Sequence, residues 1–130
     1  MKFAGVRSFP KPANGRSVPV WFGGESAPAL RRVADYGDGW IGFNLTADQA
    51  AAKIKPIEKL AVADGRKRSD VELAVSPYTN PIRANDLGRY RDAAVEEVAL
   101  VALDLPRTER EIVERLERMA RDFVEPAAKL

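Results

Sequence analysis

The feature that most constrains this chain is a rhythm repeated four times: a short apolar run, then an amphipathic stretch at helical spacing. Apolar runs of strand length alternating with helical patterns call for parallel strands joined by crossover helices. The first unit pairs a strand at Pro19–Gly23 with a helix at Ala27–Tyr36, capped by Ser26, with Pro28 in its first turn and Gly37 as its left-handed terminator. The second joins a strand at Gly39–Phe43 to a helix at Ala47–Ala63, opened by a Thr46/Gln49 capping box, bent at Pro56 and ended by Gly65.

In the third unit a strand at Val71–Ser76 leads through Pro77 and Pro81 to a short helix at Asp86–Ala94, with Leu87, Tyr90, Ala93 and Ala94 on its apolar face. The fourth places a strand at Val98–Leu103 before a closing helix, in which Thr108 and Glu111 form a second capping box. Ile112, Leu116, Met119 and Phe123 supply that helix with a stripe meant for the core. Strands two and four are short and mostly apolar, the pattern of strands covered on both faces. Ahead of these units, residues 1–18 read as an extended approach segment, because Pro10, Pro12, Asn14-Gly15 and Pro19 break any helix.

The predicted architecture is therefore α/β, (βα)₄, over residues 19–130. A (β/α)₈ barrel takes about 250 residues, so the 130 residues here have room for half of one. Four strands do not close a barrel, since small parallel barrels need about eight.

Composition removes several kinds of chemistry. The chain has no cysteine and no histidine, which excludes a disulfide framework, a thiolate nucleophile, a Ser-His triad and a zinc hydrolase. Lys and Arg number 21 against 19 Asp and Glu. That balance, with the basic residues dispersed, argues against nucleic acid. The densest basic run, Arg66-Lys67-Arg68, reads as a solvated loop, and Arg31-Arg32 as a solvated helix face. No apolar run reaches the roughly 18 residues of a membrane span and no signal-peptide pattern opens the chain, so the expectation is a soluble cytoplasmic protein.

The sharpest local signal is Gly23-Gly24, which ends an apolar strand and directly precedes a capped helix. Backbone N–H groups converging at a helix N-terminus, beside residues lacking Cβ, suit a phosphate. A plain turn that needs positive φ reads equally well. Glu25 either points away from a bound anion or occupies the anion site itself. Trp40 reads as core packing, and Asp38 as an acceptor of turn hydrogen bonds. Asn44, Thr46, Asp104 and Arg107 follow strands, at the rim where barrel enzymes place substrate.

Pro10-Lys11-Pro12, the run from Pro19 to Ser26, the run from Ala29 to Ala34 and the run from Gly37 to Ile41 stand in an order and spacing that resemble luciferase-like monooxygenases, including the F420-dependent class. The likeness is carried by Phe9 to Phe43 and continues to Gly65-Arg66; beyond Val71 only the rhythm of strands and helices agrees. The resemblance implies a (β/α)₈ barrel whose fifth strand ends in Gly23-Gly24, making the units here the fifth to eighth. It implies that backbone at Gly23, Gly24, Ser26 and Ala27 holds the phosphate of FMN or F420, with the Asn44–Thr46 loop serving a small-molecule substrate. Three readings follow. One is the phosphate-side half of an oxidoreductase site, completed by a complementary N-terminal half-barrel or by homo-oligomerisation, a dimer above all. The others are a non-catalytic half-barrel that self-associates through open edges, and a small phosphate-binding βα module.

Overall fold

The computed structural model describes residues 5, 12, 13, 15, 17–101 and 106–130. Strands β1 (Trp21–Gly23), β2 (Gly39–Phe43), β3 (Glu72–Ser76) and β4 (Glu97–Val98) form one parallel sheet in sequence order. Helices α1 (Ala27–Tyr36), α2 (Ala47–Ala63) and α3 (Leu87–Asp92) connect them, and α4 (Glu109–Met119) follows the last strand. A π-helical turn at Ala120–Val124 and a short α5 (Glu125–Ala127) end the chain. This α/β order of four parallel strands alternating with helices is the half-barrel arrangement.

The register is continuous: Trp21 lies beside Gly39, Trp40 beside Leu73, and Val75 beside Val98. Because side chains alternate along a strand, Phe22, Trp40, Leu73, Val75 and Val98 share one face. They pack against Leu30 and Val33 of α1, Ala50, Ile54 and Ile57 of α2, and Tyr90 of α3. Trp40 and Val33 are fully buried there. Gly42 is required on this face, since a Cβ would sit 2.5 Å from the Trp40 ring and 2.7 Å from Leu45.

The opposite face differs from the sequence expectation of strands covered on both sides. On β1 and β2, Trp21, Ile41 and Phe43 line it and remain partly open to solvent, Phe43 at 56%, whereas Ala74 and Ser76 of β3 on the same face are buried. Gly39 supplies its floor, where a Cβ would meet the Trp21 indole at 2.4 Å. Apolar composition alone did not separate a strand covered on both faces from one whose second face is partly open to solvent.

Helix ends follow the predicted chemistry in most places. Ser26 Oγ accepts the Ala29 N–H at 3.4 Å, and the Thr46/Gln49 and Thr108/Glu111 capping boxes both form. Gly65 takes φ +78 at the end of α2, which runs without interruption past the exposed Pro56. Gly37 is the exception, with φ −79 in extended backbone. Its missing side chain serves close approach, because a Cβ would lie 2.9 Å from Val33 O and 3.2 Å from the Phe22 ring.

Strand limits also move. β1 begins at Trp21 because Pro19 has no N–H and the Val20 N–H is taken by Asp38 Oδ2 at 2.8 Å, making Asp38 the expected turn acceptor. β4 begins a residue early; pairing already starts where Glu96 N donates to Leu73 O at 2.8 Å. It also ends sooner than predicted: strand geometry stops at Val98, Ala99 N makes one more bond to Val75 O at 2.9 Å, Leu100 and Val101 lie outside the strand, and Leu103 falls outside the described residues. α3 is shorter than predicted, but Leu87 and Tyr90 are buried on its apolar face as expected.

Two basic features have roles the composition did not show. Arg66 is not a solvated loop residue: its guanidinium donates to the carbonyls of Val33, Ala34, Gly37 and Asp70 at 2.7–3.2 Å. It thereby caps the C-terminal carbonyls of α1, adding a second donor at Val33 O, which also accepts the Gly37 N–H at 2.9 Å, and ties them to the loop before β3. Arg68 likewise binds Glu58 and the carbonyls of Val71 and Ala94. Arg31 is exposed but bridges Asp35 and Asp64 at 2.7 and 2.8 Å, tying α1 to α2; these hydrogen bonds hold its guanidinium above the ordinary value.

The largest correction concerns α4. Its N-terminal cap is built as predicted, yet its stripe does not enter the core: Ile112 is 45% exposed and Leu116 61%. Only the C-terminal end of the stripe turns inward, where Met119 and Phe123 line a cleft with Tyr78, Ile82 and Leu100.

Candidate functional site

The C-terminal ends of β1, β2 and β3 bring three loops to one edge of the sheet, the edge at which open α/β sheets and barrels bind ligands. At β1 the chain turns through Gly23, Gly24, Glu25 and Ser26 into α1. Gly24 has φ +96, a conformation that L side chains rarely adopt, and a Cβ there would sit 3.2 Å from Ala29 Cβ. Gly23 is different. A Cβ on it would meet only Ile41, at 3.8–3.9 Å, so nothing in the chain's own packing demands glycine there, and the space it leaves lies on the uncovered face.

Three contacts set the shape of this turn. The Trp40 indole N–H donates to Gly24 O at 3.0 Å, fixing the carbonyl from the core side. Glu25 Oε1 accepts the Phe43 N–H at 3.1 Å, so its carboxylate reaches to the end of β2. The Lys53 ammonium, on α2, donates to Glu25 O at 3.3 Å and brings a positive charge beside the turn. Trp40 is core, as expected, but the indole tie and Lys53 were not visible in the sequence because both depend on how α2 and β2 pack against β1.

The turn leaves N–H groups available. Pro28 offers none and Ala29's is taken by Ser26 Oγ, whereas those of Glu25, Ser26 and Ala27 have no hydrogen-bond partner among the described residues. Orphan donors at a helix N-terminus carry the positive end of the helix dipole. With Glu25 drawn toward β2 and Lys53 alongside, the carboxylate does not block that position.

The second loop is tied to its neighbour by side-chain hydrogen bonds. Asn44 has φ +55, and its Oδ1 accepts from Thr79 N, Thr79 Oγ1 and Asn80 Nδ2 at 2.9–3.1 Å. Its backbone also binds Ser76 O and Asn80 Nδ2. Asn44 thus locks the β2 loop to the β3 loop. Thr46 is exposed, with its Oγ1 accepting the Gln49 N–H in the cap. The next residue back, Leu45, is held through its carbonyl by the Tyr90 hydroxyl at 2.9 Å.

The rim carries two further features that spacing did not reveal. The Phe43 and Tyr78 rings stand 4.7 Å apart at 40°, with Tyr78 at φ +52, unusual for a bulky residue. Ser76, which pairs with Phe43 in register, is 5% exposed and its hydroxyl has no hydrogen-bond partner among the described residues. Arg107 is at the entrance of α4, where its own N–H donates to Glu111 Oε2 at 2.7 Å. No hydrogen bond or ion pair joins Arg107 to the Gly24 turn or the Asn44 loop among the described residues, and Asp104 lies outside them.

The sequence pattern described as luciferase-like monooxygenase matches residues 1–125. The chain belongs to the luciferase-like monooxygenase family. That family is built on (β/α)₈ barrels and generally works with flavin or F420 cofactors, and the parallel sheet here accords with half of such a barrel. No curated protein matches the chain as a relative. Among the described residues no cluster of acidic side chains is arranged to hold a metal ion, and no helix is long and apolar enough to cross a membrane.

A cofactor phosphate fits the luciferase-like turn on its own geometry. Gly24 holds a backbone that a side chain would strain, Gly23 leaves room on the open face, and the donors at Glu25 to Ala27 are unspent. Each of these suits a phosphate held by backbone N–H groups.

Proposed function

We propose that this luciferase-like chain forms the phosphate-holding side of a flavin or deazaflavin site in an oxidoreductase. The carrying observation is the Glu25–Phe43 hydrogen bond, which draws the one carboxylate of the turn away from the helix N-terminus. Backbone N–H groups of Gly24, Glu25, Ser26 and Ala27 bind the phosphate of FMN or F420, Gly23 admits it from the open face, and Lys53 adds charge behind the turn. When bound, the cofactor supplies the hydride or oxygen chemistry. The protein's own groups here bind and orient; none of the turn residues needs to titrate.

The open face of the sheet belongs to the same reading. Trp21, Ile41 and Phe43 present apolar side chains that an eight-stranded barrel would enclose. Four further strands, from a complementary half-barrel or a second copy, cover that face and complete the pocket for a small-molecule substrate. The Asn44–Thr46 loop borders that pocket, with Asn44 setting the shape of its wall. Arg107 enters only if the α4 entrance reaches the same rim.

Equilibrium titration of flavin fluorescence tests the proposal, with FMN and riboflavin compared on the wild-type chain and on Gly23→Val. The expected result is FMN bound at least tenfold more tightly than riboflavin, with that preference lost in Gly23→Val. Equal affinity for the two flavins overturns the phosphate assignment. Binding of simple phosphates with no preference for FMN or F420 instead supports a generic phosphate module.

A further inference from the structure

We infer that the end of β3 is a second subsite of the rim, in which the Ser76 hydroxyl takes the polar substituent of an uncharged aromatic ring and the Tyr78 ring gives way to admit it. The inference rests on the proposed function only in treating the open sheet face as a pocket wall. It needs no phosphate at the Gly24 turn.

Ser76 pairs with Phe43 in register, so its side chain shares the face of Ile41, Phe43 and Ala74. It stands at the C-terminal end of its strand, where parallel α/β folds hold their ligands. Its hydroxyl is buried and has no hydrogen-bond partner among the described residues. A buried hydroxyl left without a partner costs stability, and a ligand or a water that completes it explains why it is kept. The polar side chains nearby do not complete it, because Asn44, Thr79 and Asn80 are bonded to one another.

The walls around the hydroxyl are aromatic. Phe43 lies beside Ser76 in register, and the Tyr78 ring, two residues on, stands 4.7 Å from the Phe43 ring. Tyr78 reaches that position at φ +52, a region bulky side chains rarely occupy, and it is partly exposed. Tyr78 also borders an apolar cleft of about 180 Å³ lined by Ile82, Leu100, Met119 and Phe123. Its ring therefore has two places to lie, against Phe43 or in the cleft, and the second uncovers the end of β3.

These surroundings define the ligand. Aromatic walls suit a ring, and one hydroxyl, donor and acceptor alike, suits one carbonyl or hydroxyl substituent. The Glu25 carboxylate, bound to the Phe43 N–H at 3.1 Å, sits at the neighbouring strand end and disfavours an anionic ring. The class is a neutral aromatic ketone, amide or phenol.

Two measurements on the flavin-free chain test this, with wild type and Ser76→Ala compared in each. In urea unfolding, Ser76→Ala is expected to raise the midpoint, because it removes a buried hydroxyl that nothing satisfies. In ¹H–¹⁵N NMR titrations with acetophenone, toluene and benzoate, the wild type is expected to bind acetophenone about fivefold more tightly than either other compound, the factor an ordinary hydrogen bond supplies. Ser76→Ala removes the preference over toluene, and nuclear Overhauser contacts of the Tyr78 ring pass from Phe43 to Met119 as acetophenone binds the wild type. A lowered midpoint in Ser76→Ala overturns the inference, since the hydroxyl then already has a partner such as a fixed water. So does a wild type that binds none of the three or does not distinguish them, a preference that survives in Ser76→Ala, or a Tyr78 ring that stays on Phe43. The preference for FMN over riboflavin is read separately, so loss of this subsite leaves the phosphate assignment standing, and the reverse.

Discussion

The Trp40 indole N–H donates to the carbonyl of Gly24, joining the most buried aromatic side chain of the sheet to the turn that precedes α1. One side chain therefore belongs to the core and to the site. Replacing Trp40 by Phe removes the bond and part of the packing together. A loss of about 2–4 kcal/mol is expected, from a hydrogen bond of about 1 kcal/mol plus the cavity left by the smaller ring. Urea unfolding measures it, and a loss under about 0.5 kcal/mol would show the tie to be idle.

Gly23 and Gly24 are expected to respond in opposite ways. Gly24→Ala forces a side chain onto φ +96 and against Ala29, and should cost about 1–2 kcal/mol. Gly23→Ala meets only ordinary contact with Ile41 and should leave the unfolding midpoint unchanged or slightly raised. Thermal and urea melts of the two variants separate a glycine kept for backbone shape from one kept for empty space.

Arg66 closes α1 with a planar fork on the carbonyls of Val33, Ala34, Gly37 and Asp70. A lysine at this position keeps the charge but reaches fewer acceptors. Arg66→Lys is expected to lower stability by about 1–3 kcal/mol, read from the urea midpoint. An unchanged midpoint would mean that water replaces the fork without cost.

Tyr90 gives a pH dependence with a definite sign. Burial first, and then the Asp86 carboxylate, push its phenol above the usual value, with Arg89 opposing. A raised folded value means the unfolded chain releases the proton first, so the contribution is complete below about pH 10 and is lost as pH rises through the folded value. Tyr90→Phe should cost about 0.5–1.5 kcal/mol at neutral pH through the lost bond to Leu45. It should also flatten the alkaline limb of stability; an alkaline limb identical to the wild type would contradict the assignment.

What the sequence made legible was local. Caps at Ser26, Thr46 and Thr108 were readable because each needs only residues three positions apart, and the parallel order of strands followed from the repeated unit. The Gly23-Gly24 turn was readable for the same reason. What escaped depends on distant partners. Arg66 looked like a loop charge because its acceptors lie about thirty residues earlier. Glu25 had two possible places until the end of β2 supplied an N–H. The α4 stripe followed the helical period faithfully, but periodicity shows that a face is apolar without saying whether this fold or another chain covers it.

The most direct test of the phosphate assignment is the set of backbone amide signals at the turn, followed by ¹H–¹⁵N NMR while FMN is added to the wild-type chain. The account predicts that the largest shifts fall on Gly24, Glu25, Ser26 and Ala27, that riboflavin fails to produce them, and that Gly23→Val suppresses them. Shifts of equal size with riboflavin, or shifts centred elsewhere with these four amides unmoved, would contradict it.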